Sequence, residues 1–232
     1  MRRQTIVGHP SLVPASGNDD ESSLVRSHSF GEQHQPSLVD RFGIWLSARA
    51  IHRQTGSLRD KRVGDFGCGY RATLSRSLVA ESASVLAVDV SLDPALAEIP
   101  KLEPLQGLLP AVLGGIPDAS LDVVLCVSVL EHLDEPEQTL KEFHRLVKPG
   151  GVCVVNVPSW LGKRFLEFSA FRLGLSPADE MDDHRRYYDP RDLWPLLVDA
   201  GFMPRNIHCI RHKFGLNTIA RCRVPLPEAT QS

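Results

Sequence analysis

Val63-Gly64-Asp65-Phe66-Gly67-Cys68-Gly69-Tyr70, followed about twenty residues on by Val85-Leu86-Ala87-Val88-Asp89, decides how this chain folds. The first stretch reads as a buried strand running into a glycine turn. The second reads as the next strand, with a carboxylate at its C-terminal end. Glycine carries no Cβ and tolerates positive φ, so such a turn lets the backbone approach a ligand closely. A strand, a glycine turn and an acid after the following strand describe a nucleotide-type cofactor site. Asp89 is placed to accept hydrogen bonds from a ribose diol.

Strands and helices alternate outward from this unit. Leu38, Phe42, Trp45, Leu46 and Ala50 recur at helical spacing and predict a helix over 38–51 that packs on the sheet edge or covers the cofactor. Strands are expected at Arg62–Phe66, Val85–Val90, weakly at Pro104–Leu108, at Leu121–Val129 and at Val152–Val157. The fourth is nearly continuous in apolar residues, as a strand covered on both faces requires. Helices are expected over Thr73–Ala80, from Pro136 to the Lys148-Pro149-Gly150-Gly151 turn, and through Leu193, Leu196, Leu197 and Ala200 to Gly201, with Pro195 blurring where the last one starts. Ile207–Ile210 and Leu216–Arg221 suit a terminal antiparallel hairpin. The pattern predicts a doubly wound α/β sheet.

Composition narrows the function. The chain has 232 residues, enough for one domain with a full core, and a net charge of −2. That charge supplies no basic face for nucleic acid. Its five cysteines show no metal-ligand spacing, and their odd number argues against a disulfide framework. A reducing, cytoplasmic setting fits. No apolar run is long enough to span a bilayer, which excludes integral membrane association, and the N-terminus lacks a signal-peptide core. Residues 1–35 read as a flexible tail, 36–224 as the single α/β domain and 225–232 as a short C-terminal tail. The oligomeric state is not encoded in any pattern here.

Two cofactors compete for the glycine turn. Gly67-Cys68-Gly69-Tyr70-Arg71-Ala72 satisfies the permissive dinucleotide pattern. Asp65-Phe66-Gly67-Cys68-Gly69, however, resembles the first motif of class I S-adenosylmethionine-dependent methyltransferases. A carboxylate there repels a pyrophosphate but favours an ammonium and a sulfonium. Three later stretches, Leu121-Asp122-Val123-Val124, Val129-Leu130-Glu131-His132-Leu133 and Leu146-Val147-Lys148-Pro149-Gly150-Gly151, are similar to the small-molecule branch that includes ubiquinone-type O-methyltransferases. The resemblance covers about residues 38–222. It implies a Rossmann-like seven-strand sheet ending in an antiparallel hairpin, with S-adenosylmethionine as cofactor. It also implies roles. Asp65 orients the methionine ammonium through water or backbone groups, and Gly67, Cys68 and Gly69 pass under the methionyl and ribose portions. Asp89 holds the ribose hydroxyls, Val90 packs on adenine, and Cys126 and Ser128 sit near the sulfonium. Two positions depart from the family pattern. Arg71 stands where a third glycine is usual, and Leu108 stands where an acid often reads the adenine amine.

A base is needed if the acceptor is a hydroxyl, and His132 and His184 are the candidates. His132 follows the fourth strand at the cofactor face; its plain alternative is a helix-start residue bonded to backbone. His184, in Asp182-Asp183-His184-Arg185-Arg186-Tyr187-Tyr188, lies in a connection that borders the substrate pocket in this branch, and is otherwise part of a solvated loop. Asn156 closes the fifth strand and reads as a substrate contact or a strand-end residue. Trp160–Leu175 is aromatic-rich and roughly amphipathic, read as a lid helix packed on the core, or else as a greasy substrate pocket or a surface that touches membrane to reach a lipid-like acceptor. The expected reaction is O-methylation of a small-molecule, hydrophobic acceptor. A nicotinamide-dependent oxidoreductase and a catalytically inactive binding protein of the same fold are the rivals.

Overall fold

The computed structural model describes residues 29, 38–165 and 186–227. Helix α1 (Leu38–Thr55) leads into β1 (Arg62–Phe66), α2 (Thr73–Leu78), β2 (Ser84–Asp89), β3 (Leu102–Gln106), β4 (Leu121–Val127), α3 (Pro136–Leu146), β5 (Val147–Pro158), α4 (Pro190–Asp199), β6 (Ile207–His212) and β7 (Asn217–Arg223). Residues 160–165 are also helical. The strands form one seven-stranded sheet in the order β3-β2-β1-β4-β5-β7-β6. The first five pair in parallel, and β7 is antiparallel to both β5 and β6. The doubly wound sheet with its terminal hairpin is therefore as expected. No helix among the described residues is long and apolar enough to cross a membrane.

Each face of the sheet carries its own core. Val124 and Cys126 of β4 join Phe66, Phe143 and Leu197 beneath α3 and α4. Val123 and Leu125, pointing the other way, join Ile51, Leu78 and Val154 beneath α1 and α2. Successive strand residues face opposite sides, so a doubly covered strand must be apolar at nearly every position, which is the reason for the unbroken run in β4. The Phe66 and Phe143 rings meet with centroids 4.9 Å apart.

Several boundaries move from their expected places. Helix α1 runs four residues further, to Thr55, and α2 stops two residues earlier, at Leu78. Strand β3 begins at Leu102 rather than Pro104. It is an edge strand, where a proline's missing N–H costs no ladder bond, so Pro104 sits inside it opposite Ala87. Strand β4 stops at Val127 because Ser128 adopts φ +56°. The Lys148-Pro149-Gly150-Gly151 turn belongs to β5 as an irregularity: Leu121 faces Val147, whereas Val123 faces Val152. Lys148 Nζ reaches Asp122 Oδ2 at 2.8 Å, and the same oxygen accepts from Arg62 N at 2.9 Å, joining β1, β4 and β5 at their N-terminal ends. Helix α4 begins at Pro190, so Pro195 lies within it. Its start is fixed by Asp189 N donating to Asp192 Oδ2 at 2.9 Å. His184 and residues 166–175 of the aromatic-rich stretch lie outside the described residues, as do residues 1–28 and 30–35 of the expected tail.

Candidate active site

Three neighbouring parallel strands, β1, β2 and β4, bring the glycine turn, Asp89 and Ser128 together at their C-terminal ends. The turn after β1 is built on positive φ, +75° at Gly67 and +76° at Gly69. A Cβ on Gly67 would lie 2.1 Å from Val129 Cγ2, so the close approach of β4's exit also demands glycine there. Gly67 N and Cys68 N both donate to Val88 O, at 2.7 and 3.2 Å, which ties the turn to the end of β2. Arg71 is exposed, and positive φ falls on the buried Ala72 (+45°) instead. The missing third glycine thus leaves the Gly67–Gly69 turn intact.

Asp89 ends β2 and faces this turn. Its Oδ2 accepts from Gly69 N at 2.8 Å and its Oδ1 from Val90 N at 2.8 Å. The half-buried carboxylate is held in one orientation by backbone donors. Gly107 N donates to Asp89 O at 2.9 Å, bringing the end of β3 alongside and placing Leu108, 45 % exposed, at the neighbouring strand end.

Asp65 lies below the turn and is 1 % exposed. Ser75 Oγ, from α2, donates to its Oδ2 at 2.6 Å. Burial pushes the Asp65 carboxyl up to about 6, the Ser75 bond opposes this, and the Asp89 charge adds to it. Burial, then the two carboxylates, raise the Cys68 thiol well above its ordinary value, so Cys68 is a neutral thiol and not a nucleophile. The site therefore carries two acids and no basic partner for them among the hydrogen bonds described, a field that attracts cations and repels phosphate.

The β4 exit forms the other wall. Ser128 is exposed, and its N–H donates to Asn156 O at 2.7 Å. His132 closes the 3-10 turn Leu130–His132, its N–H donates to Val129 O at 2.9 Å, and its side chain is half-buried. Asn156 is 1 % exposed; its Nδ2 donates to Ser47 Oγ at 3.4 Å and its Oδ1 has no hydrogen-bond partner among the described residues. Cys126 sits apart from the open edge: it is fully buried, opposite Phe66 on one side and Val155 on the other. Burial and Glu131 raise its thiol.

Three contributors escaped sequence reasoning. Ser75 lies in the first turn of α2, under Asp65, a placement that an α2 start at Thr73 makes recognisable. Val129 acts only through packing on Gly67. Ser29, which bonds Asp89 from sixty residues upstream, has no local signal. Two cavities, of about 410 and 260 Å³, lie elsewhere. The larger is lined by Asp60, Ser82 and Lys101 at the opposite, N-terminal strand ends, and the smaller by Arg53, Ile210 and His212 between α1 and the hairpin. Open α/β sheets bind their ligands at the C-terminal strand ends, where Asp65 and Asp89 sit.

Comparison with known proteins agrees with this architecture. A family model described as a methyltransferase domain matches residues 40–206. The ubiquinone biosynthesis O-methyltransferase of Aeromonas salmonicida is 27 % identical over 172 residues, 70 % of this chain and 71 % of that protein. The enzyme of the same name from Pseudomonas syringae pv. tomato is 28 % identical over the same shares. A SAM-dependent methyltransferase from Archaeoglobus fulgidus superposes with a TM-score of 0.59 at 16 % identity, covering 79 % of this chain and 93 % of that one, a likeness of fold. The chain belongs to the methyltransferase domain family and is an S-adenosylmethionine-dependent methyltransferase.

Proposed function

We propose that this methyltransferase acts on a hydroxyl of a small-molecule acceptor, with the cofactor held over the C-terminal ends of β1 and β2 and the acceptor over those of β4 and β5. The observation that carries the cofactor side is the pair Asp65 and Asp89 around a glycine turn of positive φ. S-adenosylmethionine supplies a methyl group on a positive sulfonium, next to an amino-acid ammonium. Asp89, already oriented by Gly69 and Val90, receives the ribose diol. Gly67, Cys68 and Gly69 give the backbone floor. Asp65 sets a negative potential for the ammonium, acting through the turn because its own oxygens are buried. Val90 and Leu108 offer apolar surface to adenine, and Cys126 packs behind the sulfonium subsite.

On the acceptor side His132 takes the hydroxyl proton as methyl transfer proceeds, the role a base has when the nucleophile is an alcohol or phenol. His184 remains the second candidate. Asn156 presents its Oδ1 to the acceptor hydroxyl. Ser128, exposed at the bend after β4, lies between the two subsites. Hydroxyl chemistry and an apolar acceptor are favoured by the names of the relatives and by the half-buried imidazole. Five free cysteines suit a reducing, cytoplasmic compartment.

Methyl-labelled S-adenosylmethionine, incubated with the protein and panels of phenols, sugars, hydroxy lipids, amines, peptides and oligonucleotides, tests this reading. Label transferred to a hydroxyl panel, and lost with His132→Ala, is the expected result. Transfer confined to amines, peptides or nucleic acid contradicts it.

A further inference from the structure

The ribose carboxylate already has a partner from the chain's own N-terminal segment. Ser29 is 7 % exposed, and its Oγ donates to Asp89 Oδ1. The same hydroxyl lies 2.6 Å from Ser91 O, and Ser91 N donates back to it at 3.0 Å. A hydroxyl has a single proton, so Asp89 and Ser91 O share it, while its lone pairs receive the Ser91 N–H. Ser29 thus closes a small ring of bonds with the end of β2 at the place assigned to the cofactor's ribose.

Lone pairs limit what Asp89 can hold. A carboxylate offers about four acceptor sites. Gly69 N takes one on Oδ2, and Val90 N and the Ser29 hydroxyl take two on Oδ1. One site remains for a diol that brings two donors. We propose that Ser29 is an internal competitor for the ribose subsite, a side chain outside every cofactor motif that sets how tightly S-adenosylmethionine and its product bind. The inference rests on the reading that Asp89 holds the ribose. Binding then requires the Ser29 hydroxyl to leave Oδ1, and the apparent dissociation constant is the intrinsic one divided by the fraction of molecules in which it has left.

Calorimetric titration of the full chain with S-adenosylhomocysteine tests this, using wild type, Ser29→Ala, Ser29→Thr and Asp89→Ala. Removing the competing hydroxyl tightens binding by about tenfold in Ser29→Ala, the worth of one hydrogen bond to a charged group. Ser29→Thr keeps the hydroxyl and keeps the wild-type affinity. Equal or weaker binding by Ser29→Ala overturns the proposal, as does equal tightening in Ser29→Thr, because the hydroxyl is then not the competitor. Unchanged binding by Asp89→Ala overturns the reading of the ribose subsite itself, an outcome separate from the Ser29 comparison. Thermal unfolding of each ligand-free variant shows that a change in affinity is not a loss of fold.

Discussion

Asp65 makes the clearest demand on a single residue. Its folded-state value of about 6 lies above that of an ordinary carboxyl. The protonated form therefore stabilises the ligand-free fold, fully below the ordinary value, and that contribution is lost as pH rises through about 6. Asp65→Asn imitates the protonated state and keeps an acceptor for Ser75. It is expected to be more stable than wild type by about 2–3 kcal/mol at pH 7.5, because each tenfold change in proton affinity is worth about 1.4 kcal/mol, and no more stable at pH 4. Denaturant unfolding at the two pH values checks this; a loss of stability at both contradicts it. The same titration affects binding, since a cationic ligand prefers the ionised acid. Affinity for S-adenosylmethionine is expected to weaken as pH falls below about 6 in wild type and to lose that dependence in Asp65→Asn. His132→Ala is expected to lower kcat by about 10²–10⁴ while leaving the affinity for S-adenosylhomocysteine unchanged, the signature of a base rather than of a packing residue. The placement of Asp65, Asp89 and the two glycines around one turn was legible, because the strand–glycine-turn–strand–acid pattern fixes where they sit. Ser29 was not, because its partner lies sixty residues away and is fixed by tertiary placement.

At the scale of the element, the glycine turn and the hairpin offer opposite tests of backbone strain. Gly67→Ala puts a methyl group into Val129 and forces alanine to φ +75°. The dihedral alone costs about 1–3 kcal/mol, and cofactor binding is expected to fail with it. Val129→Ala in the same chain makes room for the methyl group and is expected to restore part of the stability; no recovery would mean that Val129 is not what confines the turn. In the hairpin, Lys213 and Phe214 both have positive φ, +51° and +58°, and Phe214 is 96 % exposed. Phe214→Gly removes strain and no burial, so it is expected to raise stability by about 1 kcal/mol. A decrease in the unfolding midpoint would show that the ring packs on a partner. Periodicity located β1, β2, β4, α3 and the hairpin within a few residues, since each has one face or both committed to the core. It misplaced β3, where an edge position tolerates Pro104. It also treated Lys148–Gly151 as a helix stop, because an irregularity inside a strand has the composition of a turn.

For the whole molecule, the seven strands of the described residues form a single sheet with two separate cores, and the C-terminal strand ends are where the cofactor is proposed to bind. The family and the cofactor class were readable from about a dozen residues around two strand ends. The acceptor was not, because the residues proposed for its subsite, His132 and Asn156, carry no spacing that selects one acceptor over another. Cofactor binding is linked to global stability: S-adenosylhomocysteine at about a hundred times its dissociation constant is expected to stabilise the fold by about 2.7 kcal/mol, read as a rise in Tm. The most direct measurement is titration of wild type and Asp89→Ala with S-adenosylhomocysteine, and of wild type with NADH. Two acids around a glycine turn predict that wild type binds the sulfur nucleotide and not NADH, and that Asp89→Ala loses that binding while its unfolding midpoint stays within a few degrees. Wild-type binding of NADH, or an Asp89→Ala protein that binds S-adenosylhomocysteine as wild type does, would contradict the account.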